Sequence, residues 1–285
     1  MRLGEYLALA GRRLQKAGAD SPRLCAQVLA ENLLGLSRLE CVLATRRELD
    51  SREIAALDAL VDRRAAGEPL AHITGHKEFY GLDFLVTPQT LIPRPETELL
   101  VDTALELLPD PQGELRFADL GAGCGCIGLA LARCRPRWRG LALDLSAEAL
   151  TVTLANAQRL ELAHRVRPVR ADLFAPPLRP ASLDLVVSNP PYVAPDERSR
   201  VMAEVLRFEP HTALFSPQNG LAHLDAATQA ATRSLRPGGL LLLEHGDRQG
   251  EAVRGLLVQA GFAAPQTRRD LAGLERCTLG RKAAL

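Results

Sequence analysis

A run of hydrogen-bond acceptors follows an apolar segment in the second half of the chain. The segment 188–192 reads Ser-Asn-Pro-Pro-Tyr and comes directly after a predicted strand at 183–187. The two prolines fix an extended backbone and remove two N–H donors, which leaves the Asn189 side-chain oxygen and the Pro190 carbonyl as acceptors. An –NH₂ group donates two hydrogen bonds, so this pair can hold one such group, with the flat face of Tyr192 packed against it. The motif therefore predicts a binding site for a planar –NH₂ group.

A glycine-rich turn lies earlier in the chain. The segment 119–128 reads Asp-Leu-Gly-Ala-Gly-Cys-Gly-Cys-Ile-Gly, between a predicted strand at 115–120 and a predicted helix at 127–133. Glycines let the backbone approach a ligand closely, and N–H groups at a helix start favour polar or anionic groups. After a second predicted strand at 140–143, an acidic residue would accept hydrogen bonds from the hydroxyls of a ribose. The residues predicted to contact a cofactor here are Gly121, Ala122, Gly123, Cys124, Gly125 and Asp144.

Two classes of cofactor are bound by turns of this kind. Gly123, Gly125 and Gly128 match the dinucleotide pattern G-x-G-x-x-G literally, which makes a nicotinamide-dependent oxidoreductase a formal competitor. That hypothesis leaves the segment 189–192 unexplained. Asp119 followed by the glycines instead resembles the first motif of class I methyltransferases, whose loop holds the methionine part of S-adenosyl-L-methionine rather than a pyrophosphate.

The cysteines of this turn are not expected to bind a metal. Cys124 stands where that family more usually has serine or threonine, but the backbone N–H survives the change. Cys124 and Cys126 have no nearby histidine or second thiol pair that would complete four ligands. We therefore predict no metal cofactor.

The resemblance gives the acceptor pair a chemical purpose. An amide nitrogen is a poor nucleophile, because its lone pair is delocalised into its carbonyl group. Two fixed acceptors would aim the lone pair at the methyl carbon of a sulfonium and stabilise the positive charge that develops. The proton can leave after transfer, so we assign no general base to His211, His223 or His245. The intact acceptor motif argues against a non-catalytic binding module.

The motif alone does not identify the nitrogen that is methylated. Asn-Pro-Pro-Tyr also occurs in adenine-N6 DNA and RNA methyltransferases, where it would hold an exocyclic amine. Further segments resemble the peptide chain release factor N5-glutamine methyltransferases, and together they cover essentially the whole chain. These segments are 78–81 (Glu-Phe-Tyr-Gly), 91–98 (Leu-Ile-Pro-Arg-Pro-Glu-Thr-Glu), 208–210 (Phe-Glu-Pro), 220–221 (Gly-Leu), 237–239 (Pro-Gly-Gly), 244–246 (Glu-His-Gly) with Gln249, and 273–276 (Gly-Leu-Glu-Arg).

This resemblance implies a substrate and a set of site residues. The substrate is the glutamine in the Gly-Gly-Gln motif of a release factor, and the products are N5-methylglutamine and S-adenosyl-L-homocysteine. Asp172 and Leu173, after a third predicted strand, should lie beside the adenine of the cofactor. Catalysis is assigned to Asn189, Pro190 and Tyr192, substrate binding to the same three with Pro191, and a further cofactor contact to Asn189.

Strands and helices alternate from about residue 94 onward, which predicts an α/β fold with a doubly wound, mostly parallel sheet. The resemblance implies the seven-stranded class I methyltransferase sheet, with a small N-terminal helical bundle. Helices in the bundle are predicted to start at Pro22, capped by Ser21, and at Asp50. The predicted domains are a helical substrate-docking domain (1–70), a hairpin connector (71–93) and a cofactor-binding catalytic domain (94–285). Further strands are predicted at 166–169, 240–243 and 276–279, and further helices at 147–160 and 251–260.

Composition disfavours several classes of partner. The net charge is +1, so no global charge drives binding to nucleic acid or membrane, whereas an adenine-specific enzyme would need a basic groove for phosphates. No stretch approaches about 18 uncharged apolar residues. The six cysteines contain no Cys-x-x-Cys pair, which favours reduced thiols in a cytoplasm. We expect a monomeric, cytoplasmic protein that binds a release factor, with no membrane contact and no direct contact with nucleic acid.

Overall fold

The structure is a computed structural model that describes residues 1–283. These residues form two compact units. The helical unit contains Met1–His76 and Ala203–Phe208. The sheet unit contains Lys77–Met202 and the described residues from Glu209 onward. Residues 284–285 of the predicted catalytic domain lie outside the described residues. The sequence assigned 203–208 to the catalytic domain, and the domain limits at 70 and 93 stay predictions.

Helices build the helical unit, and strands alternate with helices in the sheet unit. The helices are α1 (Leu3–Lys16), α2 (Pro22–Leu34), α3 (Arg38–Leu43), α4 (Ser51–Ala65), α5 (Leu70–Thr74), α6 (Glu98–Leu107), α7 (Cys126–Cys134), α8 (Ala147–Arg159), α9 (Ala203–Phe208), α10 (Ala222–Ser234) and α11 (Gly250–Gln259). The strands are β1 (His76–Phe79), β2 (Leu82–Leu85), β3 (Leu115–Leu120), β4 (Trp138–Asp144), β5 (Val166–Arg170), β6 (Leu183–Ser188), β7 (Leu235–Glu244), β8 (Phe262–Arg269) and β9 (Glu275–Lys282). Short 3₁₀ turns lie at Ala44–Arg46, Pro95–Thr97, Pro195–Arg200 and His211–Ala213.

Apolar residues at helical spacing build the core of the helical unit. Leu3 of α1, Leu29 of α2 and Leu57 of α4 are fully buried in one shared cluster. The late helix α9 joins this unit through an ion pair, because the guanidinium of Arg64 on α4 lies 2.8 Å from the carboxylate of Glu204. A short segment from far along the chain therefore completes the N-terminal unit.

The two predicted helix starts differ in outcome. Asp50 caps α4, because its carboxylate accepts hydrogen bonds from the N–H groups of Arg52 and Glu53, each at 2.8 Å. That start is confirmed. The predicted cap at Ser21 is wrong, since Ser21 has a left-handed backbone (φ +46°) and its hydroxyl makes no capping hydrogen bond. Helix α2 still begins at Pro22, where the missing N–H needs no partner.

The sheet unit contains seven strands in the order β5-β4-β3-β6-β7-β9-β8. The five adjacent strands β5, β4, β3, β6 and β7 pair in parallel. Strand β9 is antiparallel to both of its neighbours, β7 and β8. Every residue of the central strand β6 is buried, as expected for a strand covered by helices on both faces. The chain builds outward from β3 to β5 and then returns to β6, so the strand order reverses between β3 and β6. This architecture confirms the predicted fold class.

Two elements of the sheet unit escaped the sequence analysis. Strand β8 reads Phe-Ala-Ala-Pro-Gln-Thr-Arg-Arg, and only Phe262 in it is buried, which suits a strand at the edge of the sheet. Helix α10 buries mainly alanine, with Leu224 as the one large apolar residue on its inner face, so it lacks the repeated large apolar residues that mark a helix in sequence. Both elements are stabilised by neighbours that sequence periodicity does not reveal.

A short hairpin formed by β1 and β2 lies within the predicted connector 71–93. Phe79 and Phe84 are buried with their rings edge to face, 6.2 Å between centroids. Asn156 on α8 fixes β2, because its amide donates to the Leu85 carbonyl and its Oδ1 accepts from the Leu85 N–H. Across residues 1–283, no helix has both the length and the apolar character that crossing a bilayer requires.

Candidate functional site

The predicted site residues converge on one edge of the sheet, which we call the carboxyl edge. The glycine-rich turn follows β3, Asp144 ends β4, Asp172 comes after β5, and Asn189 directly follows β6. These four strands are consecutive neighbours, and parallel strands end on the same side. The reversal of strand order between β3 and β6 is where doubly wound sheets open a crevice for ligands. The structure therefore brings the predicted cofactor and substrate segments together.

The glycine-rich turn is held against the neighbouring strand β4. Gly121 and Gly123 have left-handed backbones, with φ of +72° and +57°, which larger residues rarely adopt. In this conformation the N–H groups of Gly121 and Ala122 both donate to the Leu143 carbonyl, at 2.8 and 2.9 Å. The Gly123 N–H donates to Oδ2 of Asp144 at 2.9 Å. The turn and the acidic residue are thus fixed in one geometry.

Helix α8 holds the same turn through two side chains. Thr153 donates to the Gly123 carbonyl at 2.7 Å, and Asn156 donates to the Cys124 carbonyl at 2.9 Å. Both side chains are fully buried. The sequence analysis missed them, although polar residues on the inner face of a predicted helix were an available signal. Among the described residues, no group of three or more His, Cys, Asp or Glu side chains is arranged to hold a metal ion.

Asp119, near the end of β3, is a buried carboxyl next to the turn. Its Oδ2 accepts from the Gly128 N–H at 2.9 Å, while its Oδ1 has no hydrogen-bond partner among the described residues. Burial raises the pKa of Asp119 to about 7; the hydrogen bond from Gly128 opposes this rise and the charge of Asp144 adds to it. A buried carboxyl with a vacant acceptor is suited to a ligand that carries a positive charge.

The acidic residues after the outer strands are more accessible. Oδ1 of Asp144 accepts from the Ser146 N–H at 2.9 Å, so each Asp144 oxygen accepts one backbone hydrogen bond and retains acceptor capacity. The Ala171 N–H donates to the Asp144 carbonyl at 2.9 Å, which ties the segment after β5 to β4. In that segment Asp172 is exposed and Leu173 is half-buried. Both outer acids therefore remain able to bind a ligand.

The segment 189–192, which we call the acceptor loop, presents two free oxygens. Ser188 just before it donates to the Leu120 carbonyl at 2.6 Å and so joins the loop to β3. The Asn189 amide nitrogen donates to Oγ1 of Thr97 at 3.1 Å, and its Oδ1 has no hydrogen-bond partner within residues 1–283. No backbone N–H of those residues donates to the Pro190 carbonyl. The predicted acceptor pair is thus available on one loop.

Tyr192 is anchored at both its backbone and its hydroxyl. The Gln249 side chain donates to the Tyr192 carbonyl at 3.0 Å, and the Tyr192 hydroxyl lies 3.5 Å from Oε1 of Glu244. Burial raises the pKa of Tyr192 well above its ordinary value, and the charge of Glu244 adds to the rise. A cavity of about 460 Å³ opens beside the ring, lined by Tyr192 and by the charged residues Asp196, Glu197, Arg200, Asp247, Arg248 and Arg276.

Three residues that support the acceptor loop were assigned no individual role in the sequence analysis. Thr97, Glu244 and Gln249 occur in segments that carry the family resemblance, but each lies far from 189–192 along the chain. Their contacts with Asn189 and Tyr192 depend on β7 pairing beside β6 and on the fold of the segment before α6. Residue spacing alone could not reveal this proximity.

The histidines near the carboxyl edge are engaged within the protein. His245 is fully buried, with Nδ1 2.8 Å from the Gly246 carbonyl oxygen and Nε2 2.8 Å from Oγ1 of Thr278. Burial lowers the pKa of His245. Nδ1 of His223 lies 2.8 Å from the Ser216 hydroxyl. Both imidazole rings are therefore held by contacts within the protein.

Known proteins share this organisation over nearly the full chain. Residues 5–75 match the PrmC N-terminal domain family, and residues 96–215 match the methyltransferase small domain family. A protein of Nitratidesulfovibrio vulgaris named release factor glutamine methyltransferase is 45% identical over 275 residues, which cover 96% of this chain and 92% of that protein. A protein of the same name from Escherichia coli is 40% identical over 267 residues, which cover 94% of this chain and 95% of that protein.

A solved structure shares the fold with much lower sequence identity. The hMettl16 catalytic domain, solved in complex with the MAT2A 3'UTR hairpin 6, matches with a TM-score of 0.59 and 16% identity. The match covers 79% of this chain and 82% of that chain. At this identity the likeness concerns the fold alone.

Proposed function

This chain belongs to the family of release factor glutamine methyltransferases, and from that membership we propose its reaction. It transfers a methyl group from S-adenosyl-L-methionine to the side-chain amide nitrogen, N5, of the glutamine in the Gly-Gly-Gln motif of peptide chain release factors. The observation that carries the proposal is the 40–45% identity to proteins of that name, across both the helical unit and the sheet unit.

The carboxyl edge suits the proposed cofactor by its charge. S-adenosyl-L-methionine supplies an electrophilic methyl group on a positively charged sulfonium, and it also carries an ammonium group. Asp119 offers an unpartnered buried Oδ1 near the turn, and the carboxylates of Asp144 and Asp172 follow the next two strands. Acids placed in this way attract a cationic ligand. We assign the methionine part to 121–125, the ribose to Asp144 and the adenine side to Asp172 and Leu173.

The acceptor loop would position the nucleophile. Asn189 Oδ1 and the Pro190 carbonyl would each accept one hydrogen from the substrate –NH₂, which aims the nitrogen lone pair at the electrophilic carbon. As that nitrogen gains positive charge, both hydrogen bonds strengthen and lower the barrier. Pro191 keeps the loop extended, and Tyr192 packs against the planar amide. The surplus proton leaves to solvent after transfer, so no strong base is needed.

Methylation of adenine N6 in DNA or RNA is not favoured. The acceptor loop would also fit an exocyclic amine, but the net charge of +1 gives no general attraction to phosphates. The Nitratidesulfovibrio vulgaris and Escherichia coli relatives are named for a glutamine substrate. We propose that the partner is a release factor bound with help from the helical unit, and that the enzyme acts as a metal-independent monomer in the cytoplasm during translation termination.

A transfer assay tests this function directly. Purified enzyme is incubated with S-adenosyl-L-methionine labelled on its methyl group and with a release factor, and the modified peptide is identified by mass spectrometry. We expect label on the glutamine of the Gly-Gly-Gln motif and none on a release factor in which that glutamine is alanine. Parallel reactions contain DNA and RNA. Label on nucleic acid with none on the release factor would overturn the proposed substrate.

A further inference from the structure

Glu209 is a buried carboxylate to which the reaction described above assigns no role. It directly follows the short helix α9 along the chain, and its side chain is 1% exposed. Its Oε1 forms an ion pair with the guanidinium of Arg94 at 2.5 Å, and its Oε2 accepts from the Ile92 N–H at 3.0 Å. Because a buried ion pair stabilises a fold no better than apolar side chains of similar size, stability alone does not account for Glu209.

The segment 91–94, which Glu209 holds, is irregular. It belongs to none of the helices and strands that the structure describes, and the prolines at 93 and 95 have no N–H to donate. Ile92 is buried, so its N–H would be costly to leave without a partner. One carboxylate binds both this N–H and the Arg94 guanidinium and so fixes the segment at two points. The position of the segment therefore depends on Glu209.

Hydrogen bonds continue from this segment to the acceptor loop. The Arg94 carbonyl accepts from the Thr97 N–H at 3.1 Å, which closes the 3₁₀ turn before α6. Oγ1 of Thr97 accepts from the Asn189 amide nitrogen at 3.1 Å. Thr97 is 2% exposed, so water does not compete freely for its hydroxyl. Every link of this series, from Glu209 to Asn189, is a direct contact, and all of its members lie in the sheet unit.

The last link of the series bears on the reaction, because it uses the nitrogen of the Asn189 amide and leaves the oxygen. That oxygen, Oδ1, has no hydrogen-bond partner within residues 1–283, and it is the acceptor that the substrate –NH₂ requires. A misplacement of about 1 Å in a catalytic geometry can lower a rate by on the order of 100-fold. A shift of the segment that carries Thr97 would therefore reach the reacting atoms.

We propose that Glu209 is a positioning residue, which holds the segment 92–97 so that Thr97 keeps the Asn189 oxygen directed to the substrate nitrogen. The proposal rests on the function assigned to the acceptor loop above. Glu209 neither touches the substrate nor exchanges a proton in this role. The glycine-rich turn is held by β4 and α8 instead, so loss of Glu209 should affect turnover far more than cofactor binding.

Two substitutions of Glu209 test the role by their effect on kcat and on cofactor Kd. Glu209→Gln keeps the shape but has one acceptor oxygen, so one of its two contacts must break. Glu209→Asp keeps the charge but is one methylene too short to make both contacts. With both substrates saturating, we expect kcat to fall about 10- to 100-fold in each variant, with cofactor Kd within a few-fold of wild type. Wild-type kcat in either variant overturns the proposal.

Asp184 provides a matched control at the opposite edge of the sheet. Its Oδ2 accepts from the Arg116 N–H at 2.7 Å and its Oδ1 pairs with Arg236 at 2.6 Å, so this buried acid also joins a backbone N–H to a guanidinium. It lies near the start of β6, whereas Asn189 follows the end of that strand. Asp184→Asn should lose comparable stability in urea unfolding and keep wild-type kcat. An equal loss of kcat in Asp184→Asn and Glu209→Gln would overturn the proposal.

A double variant tests whether Glu209 acts through Thr97. Thr97→Val removes the hydroxyl at nearly constant shape and should by itself lower kcat about 10- to 100-fold. Adding Glu209→Gln should lower kcat by no more than about threefold further, because the contact through which it acts is already lost. If the two losses multiply in full, the residues act independently and the proposal fails. Glu209→Asp takes the place of Glu209→Gln in this cycle if the latter does not fold.

A readout without turnover separates this inference from the proposed substrate. In the free enzyme, the side-chain ¹⁵N–H₂ signals of Asn189 should move in Glu209→Gln toward their positions in Thr97→Val and stay unchanged in Asp184→Asn. If the release factor is not methylated but these signals respond to Glu209→Gln, the proposed substrate fails and the positioning role stands. If the signals do not respond, the positioning role fails whatever the substrate is.

Discussion

Asn189 illustrates how the role of one residue depends on partners that its own motif does not contain. The sequence predicted that its side-chain oxygen serves as an acceptor, because the prolines next to it leave few other polar groups. The structure adds that its nitrogen is taken up by Thr97. The role of the prolines next to Asn189 could be predicted from the sequence. The contact with Thr97 could not, because Thr97 lies 92 positions away along the chain and meets Asn189 only in the folded structure.

Two substitutions should separate catalysis from cofactor binding. We expect Asn189→Ala to lower kcat by about 100- to 1,000-fold, the cost of losing a donor or acceptor aimed at developing charge, with cofactor Kd nearly unchanged.

We expect Asp144→Ala to weaken cofactor binding by about 10- to 100-fold, because it removes charged hydrogen bonds. Calorimetry gives Kd, and the transfer assay gives kcat. An active Asn189→Ala, or Asp144→Ala with unchanged Kd, would contradict the assigned roles.

At the scale of elements, the acceptor loop is held by a close backbone approach. Gly220 has φ of +83°, and a Cβ built there would lie 2.2 Å from the Tyr192 carbonyl oxygen and 2.5 Å from the Gln249 amide nitrogen. Gly220 therefore lets the start of α10 pack directly against the loop. The resemblance included this glycine, but only the folded structure explains why a side chain is not accommodated.

Gly220→Ala should accordingly damage both stability and activity. We expect the free energy of unfolding to fall by about 1–3 kcal/mol, from backbone strain and displacement of the loop, and kcat to fall at least tenfold. Gly255→Ala is a matched control, because that glycine lies in α11 with an ordinary φ and nothing within 4 Å of its built Cβ. It should keep activity and gain up to about 1 kcal/mol. Denaturant unfolding measures the stability of both variants, and the transfer assay measures their activity. Equal effects of Gly220→Ala and Gly255→Ala would contradict the explanation.

The sequence predicted best the elements that bury large apolar side chains. The predicted strand at 115–120 matches β3 residue for residue, because alternating apolar residues end at a glycine turn. β7 was predicted only in its apolar half, 240–243, since its first five residues include Arg-Pro-Gly-Gly and bury little. Strand β8 was not predicted because it lies at the edge of the sheet and buries little. Helix α10 was not predicted because its buried residues are mostly small.

For the molecule as a whole, the buried carboxyls make stability depend on pH. Asp119 has a pKa of about 7 when folded and an ordinary value near 4 when unfolded, so the folded state binds its proton more tightly. By linkage, this contribution to stability is full below about pH 4 and declines as pH rises through 7. Asp119 lies at the carboxyl edge beside the proposed cofactor site, and functional sites are where stability is commonly given up.

Replacing Asp119 by Asn should remove this dependence. Relative to wild type, the unfolding free energy of Asp119→Asn should increase from pH 4.5 to pH 8 by an amount on the order of a few kcal/mol, because only wild type must ionise a buried carboxyl. Urea titrations at several pH values measure the difference, in which the contribution of other titrating groups cancels. Parallel curves for the two proteins would show that Asp119 does not titrate as described.

The position of β9 has a consequence for how the protein is made. β9 is later in the chain than β8 but lies between β7 and β8 in the sheet. While a ribosome is still producing 275–282, β7 has an unpaired edge, and β8 has no strand to pair with. Such an edge invites association between nascent chains. The sheet can close only after that stretch has left the exit tunnel, so the edge of β7 stays open to other chains until late in synthesis.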